Sequence, residues 1–374
     1  MIYWLASYLA ELDGSFGFMR ILTYVSARAI ATAITTLLLM LLLMPRTIRI
    51  LYLGGQRDKN RDFDAHLAKS KRGTPTMGGV LIVSSVLISL LLWGDWTSRF
   101  LWAVVSSMVV FALLGAVDDL AKVRGGHADA GLSRRAKLIV QTIYGLALGM
   151  LLYHPATSPF PSGLADTVGV IFLKPEMYGG VDVHLYWLYV PFVAFVVVAV
   201  SNAVNLIDGL DGLAAGTALL PIGVYGIIAY ILGNANMSSY LLYPFFPGVH
   251  ELMVFVAAVI GALIGFLWYN GYPAEVFMGD TGSLSLGGTL AALVLLTKQE
   301  TLFIIAGGLF IYVNLTHLIG DRIGIHLLGR RIFYRTPIHH SYEHLGIAET
   351  KVVLRFWIVS LILALVALST MKIR

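Results

Sequence analysis

The chain contains no cysteine, which removes disulfide crosslinks and thiolate nucleophiles from its chemistry and leaves its redox compartment unread. Charge is also scarce. Asp, Glu, Lys and Arg make up 13% of the residues, against about 25% in a soluble domain. With 58% hydrophobic residues and a mean hydropathy of +0.80, the chain reads as a polytopic membrane protein. No nucleic-acid-binding motif, solenoid repeat or low-complexity segment occurs, and the net charge of +5 reflects membrane topology. No nucleic-acid partner is expected. The first apolar run, about residues 24–44, is too long for a signal-peptide core and has no small-x-small cleavage site, so it reads as a retained anchor.

What is present is a series of apolar runs of the length a bilayer demands, about 17 to 25 residues each. They fall near 24–44, 77–93, 100–117, 136–153, 187–204, 213–232, 251–269, 283–298, 301–320 and 351–369. The expected fold is all-α: one integral-membrane domain over residues 1–374 with about ten transmembrane helices and both termini on the same side. Basic residues assign the sides. Eight Lys and Arg lie in 45–76, five in 118–137 and six in 321–355, which puts nineteen of the 26 on one side. That side is expected to be cytoplasmic, with both termini periplasmic or extracellular. The one sizeable outer loop, 154–186, has the Pro, Gly and aromatic content of turns or a short hairpin.

Every chemically suggestive cluster falls on the basic side. Ser201 to Gly216 joins two apolar runs and carries Asn202, Asn205, Asp208 and Asp211; the two aspartates share a helix face if this turn is helical. A helix-capping loop is the plain alternative, but acids at a membrane boundary suggest a site. Asp118 and Asp119 end an apolar run with Lys122 one turn further on. Adjacent carboxylates there are either solvated or hold a cation, and hard oxygen ligands beside a phosphate suit Mg²⁺. Asp280 sits between glycines in Asn270–Ser283, with Phe277 three residues earlier able to stack on a base or simply to fill a core. Lys71 to Gly79 opens the second run, with Thr74 as N-cap and Pro75 at the first helical position, so that Lys71 and backbone N–H groups can meet an anion. Arg335–Glu343 brings His339 and His340. No third ligand is suitably spaced for Zn²⁺, and donation to a pyrophosphate is the better role. Asn314, His317 and Asp321 fall on one helical stripe, as site residues or as polar contacts between helices. Together these residues suit Mg²⁺-assisted phosphoryl transfer between a water-soluble nucleotide compound and a lipid.

The strings GTPTMGG (Gly73–Gly79), VDD (Val117–Asp119), NAVNLIDGLDGLA (Asn202–Ala214), AEVFMGDTGSLSLGG (Ala274–Gly288) and PIHHSYE (Pro337–Glu343) closely resemble the phospho-N-acetylmuramoyl-pentapeptide transferase family over about residues 20 to 374. The resemblance implies a multi-pass enzyme of the bacterial inner membrane. It implies transfer of phospho-MurNAc-pentapeptide from UDP-MurNAc-pentapeptide to undecaprenyl phosphate, giving lipid I and UMP for peptidoglycan synthesis, with Mg²⁺ as cofactor and a homodimer as the assembly. By position it implies Asp118, Asp119 and Asp280 as essential acids and metal ligands. Asp208, His339 and His340 are implied as further catalytic residues. Lys71, Thr76, Lys137, Asn205, Asp211, Asn270 and Phe277 are implied as substrate-binding, the last two in a uracil pocket. An already ionised lipid phosphate needs little base, so direct attack with Asp118 positioning the acceptor is favoured; a covalent aspartyl intermediate also fits the sequence.

Two departures stand out. The family usually has three consecutive histidines and this chain has Ser341 third; it usually has Glu, Ser and Gln where Asn314, His317 and Asp321 align. From the sequence, Ser341→His is expected to be neutral or mildly activating. The rival readings are a related polyprenyl-phosphate GlcNAc-1-phosphate transferase, against which PIHHSYE and GTPTMGG argue, and a membrane transporter, which predicts mid-span charges and inverted repeats.

Overall fold

The computed structural model describes residues 1–12, 14–56, 73–125, 130–327, 329–330 and 332–373. Its helices are α1 (Ile2–Leu12), α2 (Val25–Leu53), α3 (Gly79–Trp93), α4 (Arg99–Gly125) and α5 (Arg134–Tyr153), then α6 (Tyr189–Ile207), α7 (Leu213–Leu232) and α8 (Ala235–Tyr240). After these come α9 (Glu251–Asn270), α10 (Gly279–Leu296), α11 (Phe303–Ala306), α12 (Gly308–Leu318), α13 (Ile338–His344) and α14 (Glu349–Thr370). Among the described residues eight helices are long and apolar enough to cross a membrane: α2, α4, α5, α6, α7, α9, α10 and α14. The protein is therefore an all-α multi-pass membrane protein.

The eight do not match the ten expected runs one for one. α3 is 15 residues long, because the chain before Gly79 is not helical. Instead Phe277 N–H donates to Pro75 O at 2.8 Å, and Gly78 and Gly79 N–H donate to Phe277 O and Met278 O at 2.9 and 3.0 Å. The chain at Pro75 and Gly78–Gly79 is thus bonded to 277–278, and Thr74 and Pro75 do not begin the helix, a correction to the sequence reading. The run at 301–320 is interrupted at Gly307–Gly308, and its end opens into a π-helical segment, Ile319–Leu327.

α10 is the axis. Every residue from Thr281 to Leu296 is buried, and α3, α4, α6 and α7 pack around it. Its small residues make this possible. A Cβ on Gly79 would overlap the backbone of Gly282, and one on Gly115 would overlap Asp280 O. α9 meets α2 through Gly261 and Gly265, four apart, where added Cβ atoms would run into Ala33 and Met40. α2 itself is divided by a period of four. Arg28, Thr32, Thr36, Met40 and Met44 face the bundle, whereas Ile30, Ile34, Leu38 and Leu42 are exposed where hydrocarbon would lie.

At the opposite end from the acidic cluster, Arg28 makes two bonds to Glu251, 2.8 and 2.9 Å, both groups buried. The 154–186 loop carries the expected hairpin: β1 (Thr167–Val168) pairs antiparallel with β2 (Val183–His184). It is fixed to the bundle by the buried Lys298, which donates to Ala165 O and Thr167 O at 2.9 and 2.8 Å and lies against the rings of Phe160 and Tyr189.

Candidate active site

The site forms where α4 and α10 meet. Gly279 has φ +73°, a conformation glycine adopts without cost. A Cβ there would lie 2.6 Å from Asp119 Oδ2 and 3.1 Å from Thr76 Oγ1. The turn lets α10 start directly on Asp119. Oδ1 of Asp119 accepts from Asp280 N–H at 3.0 Å, and Oδ2 accepts from Thr281 N–H at 2.9 Å and Thr281 Oγ1 at 2.7 Å. A carboxylate thus terminates the backbone donors of the central helix and complements its dipole. α4 does not end at the acidic pair; it runs two turns further, to Gly125.

Asp118, Asp119 and Asp280 each present an oxygen within 4.8 Å of the others. Among the described residues this is the one group of His, Asp and Glu gathered closely enough for a metal, so the histidine loop builds no Zn²⁺ site there. Two lysines sit against the trio. Lys122 Nζ lies 2.7 Å from Asp118 Oδ2 and 3.1 Å from Asp280 Oδ2; Lys137 Nζ lies 2.8 and 2.7 Å from the same atoms. Lys122 arrives from one turn along α4, and Lys137 from the first turn of α5, whose N-cap is Ser133. Asp118 Oδ1 accepts from Leu132 N–H at 2.7 Å. Three carboxylates and two ammonium groups leave one net negative charge.

α6 supplies Asn205, whose amide donates to Asp280 Oδ1 at 3.2 Å and Ser283 Oγ at 2.8 Å. α6 then stops: Asp208 is its C-cap and Gly212 has φ +76°. The turn is not helical, so Asp208 and Asp211 do not share a helix face as the sequence suggested. Distant residues hold the turn instead. Asp211 N–H donates to Glu349 at 2.9 Å, Asp211 Oδ2 accepts from Ala274 N–H at 3.1 Å, and Trp357 Nε1 donates to Gly212 O at 3.2 Å. Asn270 accepts from Gly212 N–H at 3.0 Å and donates to Val276 O at 2.8 Å, so its amide joins the two loops. Phe277 is buried and its backbone is tied to Pro75 and Gly78. Lys71 lies outside the described residues.

The histidine pair reaches the same turn. A Cβ on Gly209 would overlap His339 Nε2 and lie 3.0 Å from His340 Nε2. His339 is fully buried, and among the described residues neither of its ring nitrogens has a hydrogen-bond partner. Burial first, and then the adjacent His340, hold it well below the ordinary imidazole range. Ser341 is buried and braces the backbone of its own loop. Its hydroxyl donates to Arg335 O at 2.5 Å and accepts from Arg335 N–H at 2.9 Å. A histidine could not make both bonds there, which reverses the expectation for Ser341→His. Asn314 and His317 lie on α12, but Asp321 falls in the π-helical segment, so the stripe of three is broken.

Sequence reading overlooked Lys122 as a site residue although its spacing from Asp118 was visible. It had no signal for Thr281, Glu349 or Trp357.

A trio of carboxylates with two lysines, built into one end of a bundle of membrane-length helices, outlines a membrane-embedded group-transfer enzyme. Comparison with known proteins makes this particular. Residues 101–298 match the model of glycosyl transferase family 4, and residues 71–83 match phospho-N-acetylmuramoyl-pentapeptide-transferase signature 1. The chain is 41% identical over 375 residues to the phospho-N-acetylmuramoyl-pentapeptide-transferase of Maridesulfovibrio salexigens, covering 100% of both chains. It is 42% identical over 367 residues to that of Geobacter sp. strain M21, covering 98% of this chain and 99% of the relative. The chain belongs to the phospho-N-acetylmuramoyl-pentapeptide transferase family, a family of phosphoglycosyl transferases.

Proposed function

We propose that the protein transfers phospho-MurNAc-pentapeptide from UDP-MurNAc-pentapeptide to undecaprenyl phosphate, yielding lipid I and UMP in peptidoglycan synthesis. Full-length similarity to the two transferases carries this reading, and the carboxylate trio with its lysines supports it. An oxygen of the lipid phosphate attacks the sugar-proximal phosphorus; a P–O bond forms to the acceptor, and the P–O bond to UMP breaks.

Two anionic phosphates must be brought together, so neutralising their charge matters most. Lys122 and Lys137 are already poised between Asp118 and Asp280 and can turn to phosphate oxygens. Asp118, Asp119 and Asp280 are hard oxygen donors of the kind Mg²⁺ takes. Bound there, Mg²⁺ would neutralise and orient phosphate oxygens. Asp119 already accepts three hydrogen bonds, so its larger role is to seat α10. Asn205 fixes Asp280, and Asp118 orients the acceptor phosphate for direct attack. Asp208, His339 and His340 are assigned to the nucleotide, on family resemblance, and Thr76, Asp211, Asn270 and Phe277 to substrate binding beside them. Lys71 belongs to the same anion-binding role.

The site faces the cytoplasm, with both termini outside and about ten membrane passes, counting α3 and the interrupted α11–α12; the basic-residue asymmetry supports this. Placement in the inner membrane of a bacterium and a homodimeric state are part of the same reading, supported by the family resemblance. The deciding assay is UMP release by purified protein given undecaprenyl phosphate, Mg²⁺ and either UDP-MurNAc-pentapeptide or UDP-GlcNAc. Release with the first and not the second is expected, and excess EDTA should abolish it reversibly. Turnover of UDP-GlcNAc alone would make the chain a GlcNAc-1-phosphate transferase.

A further inference from the structure

His340 and Glu343 lie one turn apart on α13, with His340 Nδ1 2.8 Å from Glu343 Oε2. Their side chains are only 9% and 16% exposed, so water competes weakly for the contact. A carboxylate at Nδ1 requires the ring proton there, which fixes the tautomer and directs Nε2 to the opposite side. On that side lies Gly209, whose added Cβ would be 3.0 Å from Nε2. Gly209 is four residues past Asn205, which is bonded to Asp280. His340 also lines a cavity of about 270 Å³ with Tyr334, Arg335 and Thr336. Its neighbour His339, with ring centroids 4.4 Å apart, has no hydrogen-bond partner on either ring nitrogen among the described residues and lies in a buried position hostile to charge. Of the two imidazoles, His340 is therefore the one with a carboxylate to set its tautomer.

Building on the transferase reading above, we propose that Glu343 is a positioning residue. It holds His340 with the ring proton on Nδ1 and turns Nε2 toward the diphosphate of the nucleotide substrate, where Nε2 takes a proton from solvent as the anion binds and then donates to it. Glu343 itself does not touch the substrate.

The test combines kinetics with a spectroscopic readout on the full-length protein in detergent. In ¹⁵N-histidine-labelled protein, His340 should show Nδ1–H in the wild type and in Glu343→Gln, whose amide oxygen can still accept, and a tautomer mixture in Glu343→Ala. Glu343→Ala should lower kcat/KM for UDP-MurNAc-pentapeptide about ten- to a hundredfold, the loss expected for a hydrogen bond to a charged group. KM for undecaprenyl phosphate should stay unchanged. In a His340→Ala background, Glu343→Ala should add nothing. If Glu343→Ala does not fold, Glu343→Gln decides: tautomer and kcat/KM both kept support the proposal, and a large loss of kcat/KM with the tautomer kept would overturn it. An unaltered His340 tautomer in Glu343→Ala, or an equal further loss in the His340→Ala background, would overturn the proposal. A wild-type protein that releases no UMP from UDP-MurNAc-pentapeptide would instead overturn the transferase reading, and leave the tautomer measurement to judge Glu343.

Discussion

Asp119→Asn separates a structural role from a chemical one within the carboxylate trio. The wild-type carboxylate accepts three hydrogen bonds, from Asp280 N–H, Thr281 N–H and Thr281 Oγ1. A single amide oxygen can serve at most two of these donors, and the amide NH₂ would then face the third. At least one bond to a charged acceptor is lost, worth about 1.5–3 kcal/mol. The dipole of α10 also loses its compensating charge, worth about 0.3–1 kcal/mol and up to ~2 in buried geometry. Together the change should cost roughly 2–5 kcal/mol. At about 2–4 °C per kcal/mol this lowers Tm by roughly 4–20 °C. Asp280→Asn should lower Tm much less, because Asp118 still pairs with both lysines, yet it should abolish turnover. Differential scanning fluorimetry in detergent, with UMP release on the same samples, checks both. Asp119→Asn with wild-type Tm and no activity would refute the reasoning and make Asp119 a group that acts on metal or substrate only.

Ser341→His should reduce activity and stability because both hydrogen bonds to Arg335 are lost in a buried position, and Ser341→Ala should do so more mildly; activity above wild type in Ser341→His would contradict this. His339 is held below its ordinary pKa, so the unfolded chain binds more protons below about pH 6.5 and stability must fall as pH drops through that range. Comparing Tm against pH for wild type and His339→Gln should show a weaker acid-side decline in the variant. Gly79→Ala inserts a methyl into the backbone of Gly282, so α3 and α10 must separate; loss of monodisperse protein in size-exclusion chromatography is the expected result.

Some of this protein was written in one dimension. Spans such as 213–232 and 251–269 were legible because a bilayer asks for a fixed length of apolar chain, which needs no knowledge of neighbours. The proposed membrane sides rest on the distribution of Lys and Arg, which is likewise a property of the sequence. The candidate acids were conspicuous because carboxylates are rare in so apolar a chain, and the pairing of Asp118 with Lys122 is a one-turn relation. Where local pattern failed, a distant segment had overridden it. Thr74 and Pro75 look like a helix start, yet Phe277, two hundred residues on, binds the backbone of Pro75 and Gly78, and the helix begins only at Gly79. Asp208 and Asp211 look like a helical pair, yet Glu349, Asn270 and Trp357 hold that turn open.

The division of labour among the acids also belonged to the tertiary structure. Asp118 and Asp119 are neighbours in sequence, but successive residues on a helix point about 100° apart. One therefore meets two lysines and the other meets the first turn of α10. Likewise Ser341 seemed a histidine lost, until the fold set its hydroxyl between the N–H and C=O of Arg335. Composition and periodicity determined that the chain crosses a membrane and carries acids at one of its faces. Only the packing of α4, α5, α6 and α10 decided which acids touch, because those contacts join residues more than a hundred positions apart whose spacing no local rule relates.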